Sequence, residues 1–108
     1  MIRVIVYNKE GLIAGFQVVG HAPKEFGVSG ENLLCAGVST LLQSVHSYMG
    51  WKDRLESETK ENGILEFMVR KDHLEGFQSL GEMVKFGLQS LAINHSTAIK
   101  ITDEIIKG

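Results

Sequence analysis

Residues 32–70 read NLLCAGVSTLLQSVHSYMGWKDRLESETKENGILEFMVR, and the change of period inside this stretch decides the fold class. From Asn32, the apolar residues Leu34, Val38, Leu41, Leu42, Val45 and Met49 recur three or four apart, which predicts an amphipathic helix capped by Asn32 and closed at Gly50. Beyond Trp51, a residue expected to bury against a sheet, the period falls to two. Leu65, Phe67 and Val69 alternate with Glu66, Met68 and Arg70, and Asn62-Gly63 between the runs 53–60 and 64–70 predicts a type I′ hairpin. Toward the N-terminus, residues 2–7 and 12–19 are rich in β-branched and aromatic residues and flank Asn8-Lys9-Glu10-Gly11, a second hairpin. Toward the C-terminus, Asp72-His73-Leu74-Glu75 reads as a capping box before Phe77, Leu80, Val84, Leu88 and Leu91 at helical spacing. Gly81 and Gly87 within that helix imply close approach of a partner backbone. Ala98 to Thr102 reads as a final short strand. The order ββαββα with a possible last β gives an α+β fold: two helices packed on an antiparallel or mixed sheet, in one two-layer domain over residues 1–108.

Composition narrows the function classes. The chain has 108 residues with 11 Lys+Arg against 13 Asp+Glu and no basic run, so nucleic acid is not expected as the primary partner. It has one cysteine, which excludes an internal disulfide and a multi-cysteine metal site and points to a reducing compartment. No apolar run reaches the ~18 residues of a membrane span. A cytoplasmic location is therefore expected. His46, His73 and His95 lie in no cluster with metal-ligand spacing, so they are read as surface or cap-adjacent, and neither a metal nor a cofactor is expected.

The chemistry concentrates between Gly20 and Ser39. A thiol is nucleophilic as the thiolate, which a free cysteine forms only to a few per cent at pH 7, so a reactive cysteine needs help. With Asn32 as the cap, Cys35 falls at the third helical position, where free N–H groups and the helix dipole favour a negative sulfur. His21 ends the second strand, and the loop after it must return to that helix, which makes a Cys–His pair geometrically possible. Ser39 lies one turn beyond Cys35, positioned to meet a substrate or assist the thiolate, or else to bond the carbonyl four residues back. Residues Ala22 to Gly30 suit a flap that closes on a substrate. The plain alternatives are a small buried hydrophobe for Cys35 and a hydrogen-bonded surface residue for His21.

At these residues the sequence resembles the ribosomal-processing cysteine protease family, Prp. The carriers are Gly20-His21-Ala22 at the end of the second strand and Cys35-Ala36-Gly37-Val38-Ser39 after a glycine-containing loop, in the same order of strands and helices. The resemblance spans nearly the whole chain. It implies a nucleophile at Cys35 and a general base at His21, with Gly20, Ala22, Asn32 and Ser39 supporting the site or binding substrate. Ser39 matches the family's serine, whereas Asn32 stands where the family usually has aspartate, so no negative charge is available there to stabilise an imidazolium. Further implications are removal of a short N-terminal extension from ribosomal large-subunit protein twenty-seven, and a homodimer. The backbone N–H groups at the start of the Cys35 helix are the expected oxyanion hole. Two rival readings remain at this stage: a non-catalytic module that binds a ribosomal or other basic partner with Cys35 as a core thiol, and a redox sensor limited by the lack of a second cysteine.

Overall fold

The computed structural model describes residues 1–20, 29–61 and 63–107, including their side chains except at 29–33. Strands β1 (Ile2–Lys9) and β2 (Leu12–Val19) form the first hairpin. Its loop is Glu10-Gly11, with φ of 53° and 81°, the two left-handed residues that a twist-matched two-residue turn requires. Helix α1 (Ser29–Trp51) follows, then β3 (Leu55–Glu61) and β4 (Ile64–Val69), a 3₁₀ turn Lys71–His73, helix α2 (Leu74–Asn94) and β5 (Ile99–Ile105). The last strand is real, and longer than its apolar run suggests. It pairs parallel to β1, from Ile2 opposite Ile99 to Asn8 opposite Ile105, so the sheet is mixed with order β3-β4-β2-β1-β5.

One face of the sheet presents Ile2, Val4, Val6, Ala14, Phe16, Leu65, Phe67, Val69 and Ile99, all buried, to the apolar stripes of both helices. From α1 come Leu34, Val38, Leu42, Val45 and Met49; from α2 come Leu74, Phe77, Val84 and Leu88. These residues form a single core in which Phe16 stands tilted against Phe67 at 5.9 Å and edge-on to Phe77 at 6.5 Å. The Gln78 side chain docks α2 on β2: it accepts from the Ile13 N–H and donates to the Ile13 carbonyl, both at 2.8 Å. On the other face of the sheet, Glu66 accepts from the Tyr7 hydroxyl at 2.7 Å and from the Gln17 amide at 2.5 Å. Burial, and after it the hydrogen bond to Glu66, pushes the Tyr7 phenol above its usual range, so it stays neutral and donating. At the β5 edge, the ammonium of Lys85 at 3.0 Å holds the Asp103 carboxyl below its ordinary range.

Five local expectations are corrected. Helix α1 begins at Ser29, three residues before Asn32, so Asn32 lies inside the helix and is not its cap. The capping box is not made: Lys71–His73 winds as a 3₁₀ turn, His73 becomes the cap of α2, and no side chain caps either segment. The helical glycines admit side chains rather than a backbone. A Cβ on Gly81 would stand 3.2 Å from a methyl of Ile13, and one on Gly87 would stand 3.1 Å from a methyl of Leu41. Trp51 is 77% exposed, on the outer side of α1 with Tyr48 and Lys52. His46, by contrast, is buried, stacked at 5.6 Å on Phe67 and bonded through Nε2 to Glu58 of β3 at 2.5 Å.

Candidate active site

A cavity of about 140 Å³ opens where the ends of β2, β3 and β4 meet the N-terminal half of α1. Cys35, Ser39 and Gln43 line it at intervals of four residues, a single stripe of the helix. The stripe exists because α1 turns Leu34, Val38, Leu42 and Val45 into the core, which leaves the adjoining column at the rim. Cys35 is half-buried and packs against the core edge, while Ser39 is exposed. The floor is apolar, made by Ile2, Val18, Val38, Leu42 and Leu65, and the opposite wall is the tip of the β3–β4 hairpin with Lys60, Glu61 and Gly63. That volume is close to the ~150 Å³ that holds a benzene ring in an engineered apolar cavity, so one sizeable apolar side chain fits beside the thiol.

Gly20 also lines the cavity. Its φ is +96°, and its N–H donates to the Gly63 carbonyl at 3.2 Å, which ties the end of β2 to the hairpin tip. A Cβ there would lie 2.5 Å from the carbonyl oxygen of Met1, so glycine is required on both conformational and steric grounds. Gly20, the residue that precedes His21 in the sequence, thus belongs to the wall of the cavity that Cys35 lines. His21, Ala22 and the greater part of the Ala22–Gly30 flap lie outside the described residues, as does the side chain of Asn32.

The early start of α1 changes the electrostatics expected of the thiol. Cys35 is the seventh residue of the helix, so its N–H falls in the second turn, where N–H groups bond back to the carbonyl four residues earlier. The orphan donors of the helix are those of residues 29–32, ~5 Å or more along the axis from Cys35. With the helix starting at Ser29, these donors lie nearer its N-terminal end than a cap at Asn32 would place them. Among the described residues no cluster of three or more His, Cys, Asp or Glu side chains could hold a metal. Gln43, Lys60 and Glu61 were not singled out from the sequence. Gln43 continues the four-residue spacing of Cys35 and Ser39, whereas the hairpin tip reaches the site only through the strand order.

A half-buried thiol on a helix beside an apolar cavity with a polar rim sets a sulfur nucleophile beside a space that one side chain fills. The chain belongs to the family of the cysteine protease Prp, whose sequence model matches residues 1–100, and it is a cysteine protease. No protein of curated function matches it significantly in sequence. Among solved structures it is similar to SMU.848 from Streptococcus mutans, at 22% identity over 98% of this chain and 96% of that one, with a TM-score of 0.75. It is similar also to the essential ribosomal processing protease Prp from S. aureus in complex with a substrate peptide, at 21% identity over 96% and 100% of the two chains, TM-score 0.76. The S. aureus enzyme with a covalently linked product peptide matches at 20% identity over the same shares, TM-score 0.75. At these identities the structures establish the shared α+β fold.

Proposed function

We propose that this chain, one domain over residues 1–108, removes a short N-terminal extension from ribosomal large-subunit protein twenty-seven through a Cys35–His21 dyad, acting as a homodimer in the bacterial cytoplasm. The observation that carries the reading is the cavity shared by Cys35, the chain's only cysteine, and Gly20, the residue to which His21 is joined. The family supplies the class of chemistry. The S. aureus relative is described as a ribosomal processing protease and was solved with substrate and product peptides. For location, the single cysteine supports a reducing compartment, and no helix among the described residues is long and apolar enough to cross a membrane.

In this reading the Cys35 thiolate attacks the scissile carbonyl and forms an acyl-enzyme, His21 protonates the departing amine, and water then releases the acid product. The apolar floor seats a substrate side chain next to the cut, which fixes the peptide bond over the sulfur. Ser39 and Gln43, one and two helical turns beyond Cys35, offer polar groups to the substrate backbone. Ala22 follows the base in the sequence, and Asn32 is an amide where the family usually has a carboxylate, so that position supplies no neutralising charge to an imidazolium.

The test is incubation of the purified protein with an N-terminally extended protein twenty-seven, with products read by intact mass. One cut at the end of the extension is expected. An intact substrate after hours with the enzyme folded would overturn the processing role and favour a module that binds its partner without cutting it.

A further inference from the structure

Strand β3 is an edge of the sheet, and among the described residues its ladder partner is β4 alone. Glu56 to Glu61 are all exposed. An edge strand presents a row of backbone donors and acceptors that another extended chain can pair with, and natural edges are usually blunted by proline, a bulge or an inward charge. Here the protection is confined to one end. The irregularity in the β3–β4 register falls between Leu55 and Ser57, and from Ser57 opposite Met68 to Glu61 opposite Ile64 the ladder runs regularly. The segment contains no proline.

Two further observations say what that edge receives. Lys60 and Glu61, its last residues, line the cavity that holds Cys35, so the C-terminal end of the edge strand borders the reacting centre. Ser57 to Glu61 spans ~13 Å at the usual rise of a strand, room for about four residues of an added chain. The strand also carries Glu56, Glu58 and Glu61 against a single Lys60. Glu58 is held against α1 by His46, which braces the strand from the core side while its outer edge stays accessible. An acidic edge favours a basic occupant and disfavours a second copy of the same strand. A protein built to bind the ribosomal RNA polyanion has that basic character.

We propose that the outer edge of β3 is the substrate's docking strand: an extended, basic segment of the substrate pairs along Ser57–Glu61 as a sixth strand and is delivered into the cavity at Cys35. The proposal rests on the protease reading of that cavity. Main-chain pairing supplies affinity with little regard to sequence, the glutamates select positive charge, and the apolar floor selects the bond that is cut.

The experiment is a series of cleavable substrate peptides, each bearing one backbone N-methyl group, assayed with the wild-type enzyme and with Glu56→Lys, a position outside the cavity lining. Docking on the edge gives a period of two: N-methylation raises KM by roughly five- to tenfold at alternate residues and little at those between, with kcat nearly constant. Glu56→Lys raises KM for a lysine-bearing peptide about threefold at low salt, and the difference fades at ~0.5 M salt. Effects confined to the residues flanking the scissile bond, with the parent peptide still cut, would overturn the docking strand and leave the protease reading intact. A parent peptide left uncut would overturn both. A dimer that dissociates in Thr59→Pro, together with a flat N-methyl series, would assign the edge to a second copy and overturn the substrate as its occupant.

Discussion

Cys35→Ala is expected to abolish cleavage, lowering kcat by about 10⁴-fold or more, while the protein remains folded. The chain is a cysteine protease with one cysteine, so no other side chain can serve as the thiol nucleophile. The fold tolerates the change because the substitution removes only the sulfur from a half-buried site at the core edge, in a helix where alanine is the best former. A stability loss below ~1 kcal/mol is expected from that small change in buried area. Cleavage followed by intact mass, with a thermal melt of the same preparation, checks both halves. Retained cleavage in a correctly folded Cys35→Ala protein would remove the nucleophile from the account.

Phe67→Ala acts at the opposite end of the chain of causes, on the fold that places the site. Phe67 is fully buried on β4, where its ring meets Phe16 at 5.9 Å and His46 at 5.6 Å. Deleting a ring from such a position costs about 3–5 kcal/mol, a large share of the ~5–15 kcal/mol that holds a domain of this size together. The melting temperature should fall by roughly 15–30 °C, with the denaturant midpoint lowered at unchanged slope. The loss also loosens His46 and, through it, the tie between α1 and β3, two elements that contribute residues to the cavity. A shift of less than ~1 kcal/mol would show that the core closes over the vacated space and that the packing around Phe67 is not what sets the site.

What could be read from the sequence follows from how local each signal is. The two hairpins and both helices are written in period and turn residues a few positions apart, and the structure has them. The order β3-β4-β2-β1-β5 and the parallel pairing of β5 depend on partners far apart in sequence, so no local pattern carries them. Asn32 is a good cap by type, and a start three residues earlier, at Ser29, carries no comparably strong local signal. His46 falls next to Val45 on the buried stripe, and the carboxylate that makes its burial tolerable comes from Glu58 on another element. Trp51 lies two residues past Met49, off the stripe set by Val45 and Met49, so helical phase places it in solvent where hydrophobicity alone would bury it.

The site divides in the same way. Cys35 and Ser39 were legible as one turn of a helix, and both line the cavity. Lys60 and Glu61 reach it because β4 lies between β3 and β2, a fact of tertiary structure. The helix start, from which the oxyanion hole was expected, lies at Ser29 rather than just after Asn32.

Activation of Cys35 by His21 is the central claim, and thiol reactivity tests it most directly. The rate at which iodoacetamide alkylates Cys35 at pH 6.5 would be measured in the folded wild-type protein and in His21→Ala. Alkylation that is about tenfold or more faster in the wild type is the expected result, because an adjacent base takes the thiol proton. Equal rates in the two folded proteins would contradict the dyad.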